Sequence, residues 1–388
     1  MGTESDFELR KFVAPELLFG VGALKTVGRY VNNLGARKVL VVTDPGVMAA
    51  GWTDKVLASL EEQKIPHTVF SQVTPNPRTD EVIKGADFYK QEGCDVIVSV
   101  GGGSPTDCAK GIGIVSTNKK HILEFEGVDQ ITVPIPPLIC IPTTGGTSAD
   151  VSQFAIITDR EKMTKIAIIS KAVVPDVSLI DPTTLTTMDP YLTACTGIDA
   201  LVHAIEAFVS TGNSPITDVH ALEAIRLISW NLLESIKHPD DIALRSKVMR
   251  GSLEAGLAFS NASLGAVHAM AHSLGGLLDL PHGECNAVLL DHVMAFNLRS
   301  SPERYLRIAT EMRLDLRGMS IRDAGKAVID EVRRLKREAG IYRALAKLGV
   351  SNPDIPYLAS NAMKDACMVT NPVRPNQRDV EVIYEEAL

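Results

Sequence analysis

The chain has 388 residues, 45% of them hydrophobic and 22% charged, and its 39 basic and 47 acidic side chains leave a formal net charge of -8. That length exceeds one typical core and implies two domains, while the acidic balance argues against nucleic acid as a main partner. The cysteines at 94, 108, 140, 195, 285 and 367 form no CxxC pair, which reads as reduced thiols in the cytoplasm.

The opening MGTESDFELRKF is polar, so no signal peptide is expected. No apolar run is read as reaching the ~18 residues of a membrane span. From there to about residue 187 short β-branched runs alternate with amphipathic stretches, the pattern of an α/β domain. Strands are expected at 38–42, 67–70, 95–100, 138–141 and 177–180, with a hairpin or edge pair at 154–157 and 166–169. Helices are expected near 23–34, 51–63, 80–92 and 105–115. The strands are nearly continuous apolar runs, as in a parallel sheet covered on both faces. After Asp189-Pro190, a good cap and first helical residue, the chain reads as helices to its end. The expected domains are thus 1–187, α/β, and 188–388, helical, and a cleft between two such domains is a favoured place for a ligand.

Three segments of the first domain suit a nucleotide. DVIVSVGGGSPTDCAKG runs strand, glycines, helix: Gly101, Gly102 and Gly103 let a phosphate approach the backbone, and Ser104 is expected to cap a helix whose amides face the anion. It is neither the GxGxxG fingerprint nor a Walker A loop, and a tight strand-to-helix turn explains the same residues. Asp44 ends the strand VLVVT, where a carboxylate can bind ribose hydroxyls and repel a 2′-phosphate; a turn or cap aspartate is the plainer reading. Thr143, Thr144, Thr147 and Ser148 surround Gly145-Gly146, as a pyrophosphate or ribose site or as an ordinary polar loop.

The second domain carries a candidate metal set. Asp199 and His203 lie four apart on a helix, hence on one face. His268 sits in the apolar helix NASLGAVHAMAHSLGG, and His282 in the short loop LPHGE. One carboxylate and three imidazoles fit Fe(II), Zn, Mn or Co. His203 has an outer-layer alternative, and His272 is either a further ligand or a proton carrier. Glu206 is either a carboxylate orienting a ligand imidazole or a helix-surface residue.

Taken together, these segments resemble the iron-containing, or group III, alcohol dehydrogenases, nearly end to end. GGGSPTDCAKG, IPTTGGTSAD, TGIDALVHAIEAF, GAVHAMAHSLGG and His282-Gly283 carry the likeness by their order and spacing. The resemblance implies metal ligands Asp199, His203, His268 and His282, and His272 beside nicotinamide and substrate as a proton relay. It implies cofactor contacts from Asp44, Gly101, Gly102, Gly103, Ser104, Asp107, Thr143, Thr144, Thr147, Lys165 and Leu185, and a homodimer or larger homo-oligomer. Two segments depart from the family pattern: Gly146-Thr147-Ser148-Ala149-Asp150, and Leu289-Leu290-Asp291, whose carboxylate is expected near the mouth of the cleft. The expected activity is hydride transfer between NAD(H) and a primary alcohol or aldehyde, aided by Fe(II) or, as the alternative, Zn. The rival readings are a zinc polyol dehydrogenase, a lyase of the dehydroquinate synthase type using a basic cluster such as Arg245, Lys247 and Arg250, and a non-catalytic NAD-binding protein.

Overall fold

In a computed structural model of the chain, residues 9–388 are described, so the polar opening lies in part, at residues 1–8, outside the described residues. Two compact units emerge: Val13–Met188, and Asp189–Leu388 together with residues 9–12.

The first unit contains the strands β1 (Glu16–Phe19), β2 (Val39–Val42), β3 (His67–Phe70), β4 (Val96–Gly101), β5 (Gly127–Val128), β6 (Leu138–Pro142), β7 (Phe154–Asp159), β8 (Thr164–Ile169) and β9 (Val177–Ile180). Six of them form one sheet in the order β1-β9-β6-β4-β2-β3, parallel throughout. Its helices are α1 (Val27–Asn33), α2 (Pro45–Ala49), α3 (Trp52–Glu62), α4 (Thr79–Gln91) and α5 (Gly103–Asn118).

The apolar runs are continuous because both faces of this sheet are covered. Leu40, Val42, Ile97, Leu138 and Cys140 pack with Val82 and Ala86 of α4 and Cys108 and Ile112 of α5. The alternate residues Val39, Val41, Val96, Val98 and Ile139 pack with Val31 of α1 and Val56 and Leu60 of α3. Each such side chain contributes about 1.5–3 kcal/mol of burial. The hairpin pair is β7 and β8, antiparallel and joined to β5 in a separate three-stranded sheet. The edge strand β1 is an addition to the expected strands.

The second unit is helical: α6 (Pro190–Val209), α7 (Pro215–Lys237), α8 (Ile242–Ala262), α9 (Ala266–Leu278), α10 (His282–Asn297), α11 (Pro302–Glu311), α12 (Ile321–Glu338), α13 (Ile355–Ala362) and α14 (Gln377–Ala387). Asp189 caps α6 by accepting from the Leu192 amide at 2.8 Å, with Pro190 in the first turn. Contrary to the hydropathy expectation, α6 is long and apolar enough to cross a membrane by composition, with a mean hydropathy of 1.4. It is a core helix here: 94% of that window is buried, and the helix packs on α7, α8 and α10. Apolar residues surround it on all sides, so the polar side chains it buries need partners.

Candidate active site

Three pairs of residues four apart build one cluster in the helical unit. Asp199 and His203 project from α6, His268 and His272 from α9, and His282 and Asn286 from α10. Asp199, His203, His268 and His282 each offer a ligand atom, all within 4.8 Å of one another. Asp199, His203 and His268 are buried and His282 is half-buried. The rings of His203 and His268 stack at 4.5 Å, and His203 lies against Phe259 at 4.3 Å. His282 is the first residue of α10 rather than a loop residue. The following Gly283 lets that turn close on α6, since a Cβ there would meet the Cys195 carbonyl oxygen at 2.5 Å.

Glu206 resolves its two readings: it is 3% exposed and accepts from His268 Nδ1 at 2.6 Å and from the Val267 amide at 2.7 Å. Its carboxylate thus sits at the N-terminus of α9, where the helix dipole favours negative charge. The approach depends on Gly265, whose Cβ would lie 2.8 Å from Glu206 Oε1. Burial pushes Glu206 up to about 7, against the backbone amides that favour the carboxylate. Burial pushes His268 down to about 3. A neutral His268 that donates from Nδ1 presents its Nε2 lone pair to the cluster, the tautomer a metal requires.

His272 Nδ1 is 2.8 Å from Asp365 Oδ2, and its ring stacks on His282 at 5.2 Å. Burial opposes ionisation of Asp365, yet its contacts with His272 and Cys367 together hold the carboxyl below its usual range. Asp365 also accepts from the Cys367 amide at 2.8 Å. Neither Asp365 nor Asn286 follows from the sequence reasoning. Asn286 was detectable, four residues after His282 on one helix face; Asp365 lies 93 residues from its partner and carries no local signal.

Asp291 departs from expectation. It is fully buried, bonded to Lys336 Nζ, and 2.8 Å from Arg333 Nε. It clamps α10 to α12 and is a structural ion pair rather than a carboxylate for substrate. Asp150, in the other departing segment, is buried and accepts from Ser178 Oγ at 2.6 Å.

In the α/β unit the nucleotide candidates other than Lys165 follow the carboxyl ends of β2, β4, β6 and β9, the usual ligand edge of such a sheet. Gly101 ends β4 with φ +152, and the Thr143 amide donates to its carbonyl oxygen at 3.1 Å. A Cβ on Gly102 would press on Thr144, and one on Gly103 on Thr147. The missing side chains at these two positions let the two loops approach closely. Thr144 Oγ1 is buried without a protein partner. Ser104 is not the cap: α5 begins at Gly103, its N-cap is Gly102, and Ser104 lies in the first turn. Asp107, in the same helix, is half-buried. Asp44 does cap a helix, accepting from the Val47 amide at 2.9 Å. Leu185 is buried in the 3-10 segment Pro182–Thr187, where neighbouring Thr184 donates to the Pro142 carbonyl at 2.9 Å. Lys165 lies in the smaller sheet and donates to Asn76 Oδ1 at 2.7 Å, a partner the sequence does not suggest.

A buried carboxylate–imidazole cluster in one unit and a glycine turn at the carboxyl edge of a parallel sheet in the other are the features that a metal-using, nucleotide-using oxidoreductase needs. Residues 14–182 match the model of the iron-containing alcohol dehydrogenases, and 193–388 that of the C-terminal part of the Fe-containing alcohol dehydrogenase family. The chain is 41% identical over 384 residues to 1,3-propanediol dehydrogenase of Klebsiella pneumoniae, covering 98% of this chain and 99% of that one. It is 43% identical over 371 residues to alcohol dehydrogenase 4 of Schizosaccharomyces pombe, covering 96% and 87%. The crystal structure of a 1,3-propanediol oxidoreductase superposes with a TM-score of 0.95 at 40% identity, covering 98% of this chain and 100% of that one. The chain belongs to the iron-containing alcohol dehydrogenase family and is an enzyme of oxidoreductase type.

Proposed function

We propose that the protein transfers a hydride between NAD(H) and a small primary alcohol or aldehyde, residues 1–187 holding the nucleotide and 188–388 the metal. The observation that carries this reading is the buried set Asp199, His203, His268 and His282, with ligand atoms within 4.8 Å of one another and Glu206 fixing one imidazole in its metal-binding tautomer. Their chemistry fits a divalent ion, Fe(II) first and Zn as the alternative. When bound, the ion supplies a Lewis acid for the substrate oxygen, and NAD supplies the hydride acceptor.

The chain's own residues do the rest. Burial of the ligand set excludes water and strengthens its field. His272, its Nδ1 proton held on Asp365, keeps Nε2 open to accept the alcohol proton. Asp44, Gly101, Gly102, Gly103, Ser104, Asp107, Thr143, Thr144, Thr147, Lys165 and Leu185 form the NAD site, and the Asp44 charge favours NAD over NADP. We further infer a cytoplasmic homodimer or larger homo-oligomer; the free state of the cysteines supports a reducing compartment.

The basic residues that the lyase reading would use are in part committed to other contacts. Arg245 is buried and donates to the Pro239 carbonyl and Thr193 Oγ1, and Arg250 pairs with Glu223. Lys247 and Arg250 lie exposed on the surface of α8.

The test is anaerobic purification without chelator, metal quantification by mass spectrometry, and NAD reduction on the same sample with primary alcohols and diols. Metal near one per chain with turnover is expected. Metal-free protein that gains no activity with Fe(II) or Zn would overturn the reading.

A further inference from the structure

Asn286 is the polar residue nearest the ligand set that no established role explains. Its Nδ2 lies 2.6 Å from Asp199 Oδ1, 3.1 Å from His268 Nε2 and 3.2 Å from His282 Nε2. Asn286 is fully buried, and its Oδ1 has no protein partner. All the contacts that this carboxamide makes with the cluster are therefore made by its nitrogen.

The neighbours fix its orientation. Asp199 Oδ1 accepts only, and His268 accepts at Nε2 because its Nδ1 proton is engaged by Glu206. Turning the amide would set its oxygen against the carboxylate at 2.6 Å, so the NH2 must face the cluster. The three contacts are not equivalent. An imidazole nitrogen has one lone pair, and a ligated ion takes it. A carboxylate oxygen has two, and can serve an ion and a hydrogen-bond donor together. Asp199 Oδ1 is thus the one acceptor of the three that can keep its bond to Asn286 in the metal-loaded protein.

We propose that Asn286 is a positioning residue: its Nδ2 holds the Asp199 carboxylate plane and draws charge from Oδ1, tuning this ligand as Glu206 tunes His268. The proposal rests on the metal reading above. Asp199 then has two sides, Oδ1 held by Asn286 at 2.6 Å and Oδ2 facing His203 Nδ1 at 4.0 Å, so the Asn286 contact is the one that sets the carboxylate plane.

The experiment loads chelator-stripped protein with Co(II), whose visible absorption reports ligand number and field, in the wild type, Asn286→Leu and Asn286→Ser. Leu keeps the branched skeleton and removes the donor, at the cost of added bulk; Ser adds no bulk and guards against misfolding, checked by thermal melting and NAD binding. The expected result is an altered Co(II) spectrum in both variants with Kd raised about tenfold to a hundredfold. An unchanged spectrum overturns the proposal whether or not Kd moves, since general loosening of packing weakens binding without re-aiming a ligand. If the wild type takes up no Co(II), the metal reading falls and this inference with it. If the wild type binds and both variants match it, only the inference falls.

Discussion

The two halves of the molecule build their candidate binding features by opposite means. In the α/β unit the features are backbone: a strand end at Gly101 with φ +152, loops brought together where side chains are missing, and helix amides. In the helical unit they are side chains, each locked by another: His268 by Glu206, His272 by Asp365, Asp199 by Asn286. A backbone site tolerates most changes except added bulk. A side-chain site fails by removal, and removal of an outer partner is felt at the ligand. Substitution should therefore separate the two halves.

The largest effect is expected in the helical unit. His268→Ala removes a ligand and leaves Glu206 buried without its imidazole. Bound metal should fall to near zero and turnover by about 10³ or more, the several kcal/mol a Lewis acid contributes. NAD binding, measured by fluorescence titration, should persist, because the residues proposed to hold the nucleotide belong to the other unit. Retained metal and turnover would remove His268 from the ligand set.

Next is Asp291→Asn, which tests the same unit for stability rather than chemistry. Lys336, 1% exposed, would lose its counter-ion. Breaking such a buried pair costs about 3–5 kcal/mol, read as a lower midpoint in urea with activity below the transition retained. The pH dependence has a definite sign. Burial opposes ionisation of Asp291, but Lys336 and Arg333 outweigh it and hold the folded-state value below the usual range. Its stabilisation is fully present above the unfolded value of about 3.9 and is lost as pH falls through the folded one. The gap between wild type and variant should therefore close below about pH 4. A gap that persists there would mean the loss is one of packing rather than charge.

Asp365→Asn should act more gently, on kcat. Asn can donate to His272 Nδ1 and so favour the tautomer with its proton on Nε2, the wrong atom for accepting one. A fall in kcat of about 10² with metal content and NAD affinity unchanged is expected. An unaltered kcat would reduce the pair to a structural contact.

The same contrast explains what the sequence disclosed. Residues four apart on one helix are visible in a string of letters, so Asp199 pairs with His203, and His268 with His272, on spacing alone. The strand-then-glycine pattern likewise announces β4 and α5. Partners from distant elements leave no such trace. Glu206 passes for a surface carboxylate because its imidazole lies 62 residues away, and Asp291 passes for a cleft residue because Lys336 lies on another helix. Strand β1 escapes notice because it is four residues long at a sheet edge with Leu17 and Phe19 exposed, so neither alternation nor a buried run marks it. Ser104 reads as a cap because local chemistry favours serine there, while the helix begins at Gly103, two residues before the expected 105, where a Cβ would crowd Thr147.

The smallest effect should come from Asp44, where a backbone role and a ligand role meet in one side chain. The carboxylate caps α2 through the Val47 amide, and we assign it the ribose as well. Two substitutions part the roles. Asp44→Asn keeps a good cap but removes the charge, so the melting temperature should hold while discrimination against NADP weakens. Asp44→Ala removes both, costing about 1 kcal/mol of stability from the cap and raising the Kd for NAD about threefold to tenfold from a lost hydrogen bond. Kd for NAD and NADP by titration, with melting curves on the same samples, distinguishes the outcomes. If Asp44→Asn discriminates as the wild type does, the aspartate is a cap and nothing more, and the α/β half recognises its ligand by backbone and hydroxyl groups alone.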